Sequence, residues 1–339
     1  MEDIYILGIE TSCDETSISI IKNGTTDVYT NILTQMDTHA NFGGVVPEIA
    51  SRMHVENITM VLDDVMKKSN VSWDDINAIA VTYAPGLVGC LLVGIEFAKT
   101  LSLVHNKPLI AVNHIVGHIY ANNLVDKMTY PSLGLVVSGG HTELLLMKGD
   151  YDFELIGSTL DDAIGECYDK IARVIGLQYP GGPNIEREAE KGENSYKFPM
   201  PMNDDSLNFS FSGLKSYIIN FVHNETVKGN SIKKCDVAKS FEEVALGEII
   251  NKTSLAIDKY HINSLIVAGG VSANKHLRSK LAKLAEEKNV KLSIPPIKYC
   301  TDNAAMIAAA AYPLYKKGVF ADYSLNPKSE EIIFNKEVV

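Results

Sequence analysis

The chain writes one supersecondary pattern twice. Gly8–Ile21 (GIETSCDETSISII) reads as an apolar strand, a short polar turn and a second strand with alternating apolar residues, and Gly134–Met147 (GLVVSGGHTELLLM) has the same grammar. A shift of 126 residues lays Gly8 on Gly134, Ser12 on Ser138 and Thr16 on Thr142. Further along each half, INAIAVTYAPG (Ile76–Gly86) and INSLIVAGGVS (Ile262–Ser272) are buried-strand patterns that run into glycine-containing turns ahead of a helical segment. An amphipathic helical stretch precedes each, Arg52–Ser69 in the first half and Asp236–Tyr260 in the second. The shared order of hairpin, helix, strand, turn and helix predicts a duplicated α/β fold with two lobes. The lobes are expected over residues 1–125 and 126–325, with a helix near 302–318 completing the first and a tail over 326–339. Polar turns at strand ends are where α/β sheets bind ligands, so a cleft between the lobes is the expected active site.

A length of 339 residues suits two lobes better than one core. No run of about 18 consecutive apolar residues appears, which argues against a membrane-spanning helix. The apolar IYILGI near the start is short and follows Glu2 and Asp3, unlike a secretory signal, so a cytoplasmic location is expected. Cys13, Cys90, Cys167, Cys235 and Cys300 are scattered, odd in number and never spaced as CxxC, as free thiols would be. The net charge of -11 disfavours broad attraction to a phosphate backbone, DNA included, although a local basic patch stays open. Lys275, Arg278, Lys280, Lys283, Lys288 and Lys291 are the best such patch; interrupted by Glu286 and Glu287, they read more readily as a solvated helix face.

Three glycine pairs occur in the second half: Gly139 and Gly140, Gly181 and Gly182, Gly269 and Gly270. Glycine lets backbone N–H groups approach an anion closely, and a following helix N-terminus adds partial positive charge, so the three together suggest a nucleotide. Each pair alone also serves as a simple tight turn. Neither GxxxxGK[ST] nor GxGxxG is present, which excludes support for a P-loop ATPase or a Rossmann dehydrogenase.

His114 and His118, in HIVGH, share one face if the segment is helical and can then direct two imidazoles at one ion. Two ligands are too few for a tight site, and HIVGH lacks the glutamate of HExxH that a zinc protease uses as its base. A third, oxygen ligand must come from elsewhere. Asp302, just before the alanine-rich AAMIAAAAY, is a candidate, but its position also suits a helix N-cap.

Nine motifs then fall in order: GIETSCDET from Gly8, GGVVPEIASRMH from Gly43, PGLVGCLLVG from Pro85, HIVGH from His114, VSGGHTE from Val137, YPGGP from Tyr179, FSFSGLK from Phe209, AGGVSAN from Ala268 and CTDNAAMIA from Cys300. Together they resemble the TsaD family of tRNA threonylcarbamoyladenosine transferases, also labelled O-sialoglycoprotein endopeptidases, over nearly the whole chain. The resemblance implies the duplicated actin, Hsp70 and sugar-kinase type of fold around a nucleotide cleft. It implies a divalent metal, Fe2+ expected and Zn2+ or Mg2+ able to replace it in vitro, on His114, His118 and Asp302, with Asp302 facing the histidines across the cleft. It assigns an adenylate (threonylcarbamoyl-AMP, AMP, ATP or ADP) to Val137, Ser138, Gly139, Gly140, His141, Asp169, Gly182 and Asn274, and catalytic roles to Asp14 and Glu15.

By the same resemblance the reaction carries a threonylcarbamoyl group from threonylcarbamoyl-AMP to the exocyclic amine of the adenosine beside the anticodon in tRNAs reading codons that begin with A. FSFSGLK and GGVSAN look like the bacterial form, which implies a TsaB-like paralogue and a TsaE-like ATPase as partners. A metallopeptidase, a non-catalytic scaffold and a sugar kinase or ATPase of the same fold are the competing classes, since a fold alone does not choose a chemistry.

Overall fold

The structure, a computed structural model, describes residues 3–202 and 204–331. In chain order its regular elements begin β1 (Tyr5–Glu10), β2 (Glu15–Lys22), β3 (Thr26–Thr34), α1 (Met36–Ala40), α2 (Pro47–Ser69), β4 (Ile76–Ala84), α3 (Val88–His105), β5 (Leu109–Asn113) and α4 (His114–Tyr120). There follow β6 (Ser132–Val137), β7 (Thr142–Gly149), β8 (Asp152–Ser158), α5 (Ile164–Val174), α6 (Gly181–Ala189), α7 (Ser212–Val227) and α8 (Lys234–Tyr260). The last are β9 (Ser264–Ala268), α9 (Lys275–Lys288), β10 (Lys291–Ser293) and α10 (Ala304–Lys317).

The duplication is plain in the two sheets. One has the order β3-β2-β1-β4-β5 and the other, read from the matching edge, β8-β7-β6-β9-β10. In each, the first strand pairs antiparallel with the second and parallel with the fourth, so β1 and β6 are equivalent, as are β4 and β9.

The chain divides into two compact units, the first running to Met128 and resuming at Pro295, the second spanning Thr129–Ile294. This departs from the expected second lobe of 126–325, because the chain returns to the first unit well before residue 325. Backbone bonds explain the return: Ala321 N donates to Leu109 O at 2.8 Å and Lys328 N to Tyr83 O at 2.9 Å. Of the expected tail over 326–339, residues 332–339 lie outside those described.

In the first unit β1 and β4 are apolar almost throughout because helices cover both faces of their sheet. Leu7 and Ile9 pack with Ile58 and Val61 of α2 and Leu91 and Ile95 of α3. Gly8 points to the other face, where a Cβ would lie 2.4 Å from the Ala304 carbonyl oxygen of α10. Gly117 of α4 meets the same helix, with Ile307 Cδ1 2.7 Å from the place of its missing Cβ. That closeness explains the alanines of α10, all buried from Ala304 to Ala311. In the second unit Leu133, Leu135, Val137 and Leu144 of the sheet share one core with Cys167 and Ile171 of α5 and Phe241 and Ala245 of α8.

α3 is long and apolar enough, by length and composition, to cross a bilayer. A search for uninterrupted apolar runs misses it because Glu96 and Lys99 break the run. Its apolar residues have a role on the sheet, where Cys90, Leu91, Gly94, Ile95 and Ala98 are buried.

Candidate metal centre and anion-binding turns

α4 starts immediately after β5, and Asn113 caps it by accepting from Ile115 N at 2.8 Å and Val116 N at 3.3 Å. The cap fixes the first turn, so His114 and His118 project side by side with their rings edge to face at 84°. Their Nε2 atoms lie 3.2 Å apart. Asp302 Oδ1 is 3.1 Å from His118 Nε2 and 3.4 Å from His114 Nε2. Asp302 does not cap α10; Asn303 does, its side chain accepting from Met306 N at 2.9 Å. The aspartate one residue earlier is therefore free to turn toward the histidines. All three residues belong to the first unit, so the triad is assembled within one unit rather than across two, because α10 returns to the β1 sheet.

Two further groups stand behind His114. Its Nδ1 is 3.1 Å from Glu10 Oε2 and 3.1 Å from Ser12 Oγ. Glu10 is fully buried at the end of β1 and also accepts from Thr82 Oγ1 at 2.6 Å and from Ser12 N at 2.5 Å. A carboxylate only accepts, so it draws the imidazole proton to Nδ1 and turns the Nε2 lone pair toward His118 and Asp302. Burial works against charge on His114, yet Asp302 and Glu10 outweigh it and hold the imidazole well above its ordinary range. Asp302 and Glu10 are in turn lowered, burial being overcome chiefly by the charge of His114.

The donor set fits a divalent metal. Bonds of about 2.0–2.2 Å separate neighbouring ligand atoms by roughly 3.0–3.5 Å in tetrahedral or octahedral coordination, and the three observed separations fall in that range. The buried Glu10 and the partly buried Asp302 also call for a positive charge where the proton on His114 otherwise supplies it.

Asp14 and Glu15 lie at the β1–β2 tip of the same unit, Asp14 buried and Glu15 half-buried. Burial, then the charges of Asp302 and Asp14, push the Glu15 carboxyl up to about 10, so it keeps its proton at neutral pH.

In the second unit the glycine pairs fall on one closed ring of contacts. Ser138 N donates to His141 O at 2.8 Å and His141 N to Ser138 Oγ at 3.0 Å, closing the turn after Val137. Gly165 N, at the start of α5, donates to Ser138 O at 3.2 Å. On the same helix Asp169 Oδ1 accepts from Gly181 N at 2.7 Å, which docks the N-terminus of α6. Glu186 of α6 accepts from Lys275 N at 3.1 Å at the start of α9, whose N-cap is Asn274. Gly269, with φ +90°, closes the ring: a Cβ there would lie 2.4 Å from Val137 O. Gly139, Gly140, Gly182 and Gly270 instead face open space, with no atom within 4 Å of a Cβ. Three bare backbone stretches, at Gly139–Gly140, Gly182 and Gly270, thus border one rim, beside the starts of α6 and α9.

Comparison with known proteins follows the same lines. The family model described as TsaD, tRNA N6-adenosine threonylcarbamoyltransferase, matches residues 28–309. The chain belongs to the TsaD family. Relatives of that name from Staphylococcus saprophyticus and Bacillus cereus are each 53% identical, over 96% of this chain and 95% of theirs. Solved structures agree on the fold alone. HypF of T. kodakarensis is 14% identical with TM-score 0.62 over 95% of this chain and 49% of its own, and the ROK hexokinase of Thermus thermophilus is 11% identical with TM-score 0.50 over 94% and 100%. The chain is thus a TsaD-family enzyme with the actin, Hsp70 and sugar-kinase type of α/β fold.

Sequence reasoning about this TsaD-family chain missed Glu10, Thr82 and Asn113. An acidic residue closing an otherwise apolar strand was the available signal for Glu10, and an asparagine directly before HIVGH was the one for Asn113. Within the basic patch three lysines are paired: Lys275 meets Glu190 at 3.3 Å, Lys280 meets Glu243 at 2.7 Å and Lys288 meets Asp258 at 2.5 Å. The five cysteines are free thiols.

Proposed function

We propose that this TsaD-family enzyme transfers the threonylcarbamoyl group of threonylcarbamoyl-AMP to the exocyclic amine of the adenosine beside the anticodon, in tRNAs that read codons beginning with A. The amine nitrogen bonds to the carbamoyl carbon, an amine proton departs, and the bond from that carbon to the phosphate oxygen breaks to release AMP. The observation that carries the reading is the convergence of His114, His118 and Asp302, with Glu10 behind them, in a chain of this family. A divalent metal on the triad, Fe2+ by expectation, would polarise the donor as a Lewis acid.

The residues divide the rest of the work. Val137, Ser138, Gly139, Gly140 and His141 hold the adenylate, with the Gly139–Gly140 stretch of that turn supplying backbone N–H donors, and Asp169, Gly182 and Asn274 hold its sugar and base end. Asp169 accepts from the backbone of Gly181 and Gly182 and, with two carboxylate oxygens, still has acceptor capacity for a ribose hydroxyl. Asn274 has its carbonyl oxygen on Leu277 N at 2.8 Å and one amide hydrogen on Glu242 at 2.8 Å, so it offers the nucleotide its second N–H. Glu15, protonated, orients the substrate by donating its O–H. Asp14 supports the same tip. The tRNA is engaged in a cytoplasmic assembly with a TsaB-like paralogue and a TsaE-like ATPase, with no membrane or DNA partner.

Supplying threonylcarbamoyl-AMP, unmodified tRNA and the partner proteins tests the reading. Modified nucleoside and AMP should appear in equal amounts. AMP without modified nucleoside would replace transfer by hydrolysis and overturn it.

A further inference from the structure

Thr16, Gln35, His39 and His54 are polar, at most 1% exposed, and outside every group described above. They form one hydrogen-bonded chain inside the first unit. Val46 N donates to His39 Nδ1 at 3.3 Å, and His39 Nε2 is 3.1 Å from Gln35 Oε1. Gln35 Nε2 lies 3.3 Å from Ala50 O and 3.4 Å from His54 Nδ1. Thr16 Oγ1 is 2.8 Å from that same Nδ1, and His54 Nε2 is 2.9 Å from Cys13 O.

The two ends decide where every proton sits. A backbone N–H only donates, so His39 keeps its lone pair on Nδ1 and its proton on Nε2, which goes to Gln35 Oε1. A backbone carbonyl only accepts, so His54 carries its proton on Nε2, for Cys13 O, and takes the Thr16 hydroxyl proton on Nδ1. Gln35, its oxygen occupied, is left donating from its amide nitrogen. No link in the chain can be reversed without setting donor against donor. A chain of this kind adds little more stability than apolar side chains of the same shape; what it adds is a single defined arrangement.

That arrangement bears on one place. His54 holds the Cys13 carbonyl, Gln35 N holds the Asp14 carbonyl at 2.9 Å, and Thr16 is held by its hydroxyl, so the backbone is pinned on both sides of Glu15. We infer that Thr16, Gln35, His39 and His54 are positioning residues for the Asp14–Glu15 tip, setting the direction of its two carboxyl groups during transfer. The inference rests on the reading that this acidic pair acts on the substrate. It also ties the tip to Val46, just after the Gly43–Gly44 turn, whose positive φ values of 73° and 155° are backbone conformations that residues with a side chain rarely adopt.

The test uses the full enzyme with its partner proteins and reads kcat, KM for the adenylated donor, and bound metal. Thr16→Val keeps the volume and loses the hydroxyl; kcat should fall about tenfold or more, with donor KM and metal content unchanged, as a misplaced group would cause. Thr16→Ser keeps the hydroxyl and leaves a methyl-sized gap; it should retain most of the rate. A second link repeats the comparison should Thr16→Val not fold: His54→Gln, which keeps a donor for Cys13 O, should outperform His54→Leu. Serine as slow as valine, or glutamine as slow as leucine, would assign the chain to packing and overturn the inference. Glu15→Gln and Asp14→Asn are run alongside. If either is slow while Thr16→Val is as fast as wild type, the inference alone fails; if both retain full kcat, the reading beneath it fails and the inference with it.

Discussion

His114 presents Nε2 to its ligand partners because Glu10 and Ser12 occupy its other nitrogen. Substituting Glu10→Gln keeps the shape but removes the charge that fixes the tautomer. Metal affinity should drop about 10–100-fold, the usual effect of losing such a partner, while His118 and Asp302 stay in place. Metal titration of the variant checks this, and unchanged affinity would show that Glu10 does not orient the ring. The raised pKa of His114 sets a sign for pH. The proton persists above the ordinary imidazole range and competes with a metal for Nε2, so metal affinity falls as pH drops through that raised value. Chelator competition between about pH 6 and pH 9 should show affinity rising with pH, by up to about tenfold per unit while one proton is displaced. A flat profile would mean that His114 gives up no proton on binding. At this scale HIVGH was legible as a pair of donors. Asp302 was harder: whether residue 302 or 303 caps the helix is settled by a one-residue difference in backbone angle, which composition does not record, and only the observed Asn303 cap frees the aspartate.

α10 carries the argument from residue to element, since it brings Asp302 to α4 and packs on β1. Its approach depends on Gly8, where a Cβ would meet the Ala304 carbonyl and Ala308 Cβ, the latter at 3.0 Å. Gly8→Ala should therefore lower stability by about 1–3 kcal/mol, the usual cost of overpacking, and weaken metal binding by moving Asp302 away. Denaturant unfolding together with metal titration measures both, and a variant with wild-type stability and affinity would refute the packing argument. The two hairpins, the strands β4 and β9 and the helices α2 and α8 ahead of them were readable from apolar period, which did not assign β3, β5, β8, β10 or α5 to α7. α2 begins at Pro47, five residues before the expected Arg52, because a proline at the first helical position needs no hydrogen-bond partner for its nitrogen. The alanines of α10 looked like a generic helix until the missing side chains of Gly8 and Gly117 gave their small size a reason.

For the whole molecule, the duplication was the most legible feature, since paired hairpins and paired strand-turn patterns sit in the sequence at fixed offsets and reappear as two sheets of one topology. The return of the chain at Pro295 was less so, because the bonds that dock residues 321 and 328 are backbone bonds and leave no trace in side-chain pattern. Charge was readable in total but not in pairing: Lys275, Lys280 and Lys288 of the basic run meet Glu190, Glu243 and Asp258. With a net charge of -11 and Lys275, Lys280 and Lys288 of that run paired with acids, the isolated chain should bind tRNA weakly, with tight binding appearing only when the partner proteins are added. Tight, salt-insensitive binding by the chain alone, in a filter or mobility assay, would contradict this. The central claim is that His114, His118 and Asp302 hold a metal on which transfer depends. Its most direct test is to strip the enzyme of metal, assay threonylcarbamoyl transfer to tRNA with the partners present, and restore Fe2+ or Zn2+ at about one equivalent per chain. Wild type should lose activity and regain it, and Asp302→Asn should not regain it; full activity in the stripped enzyme would contradict the account.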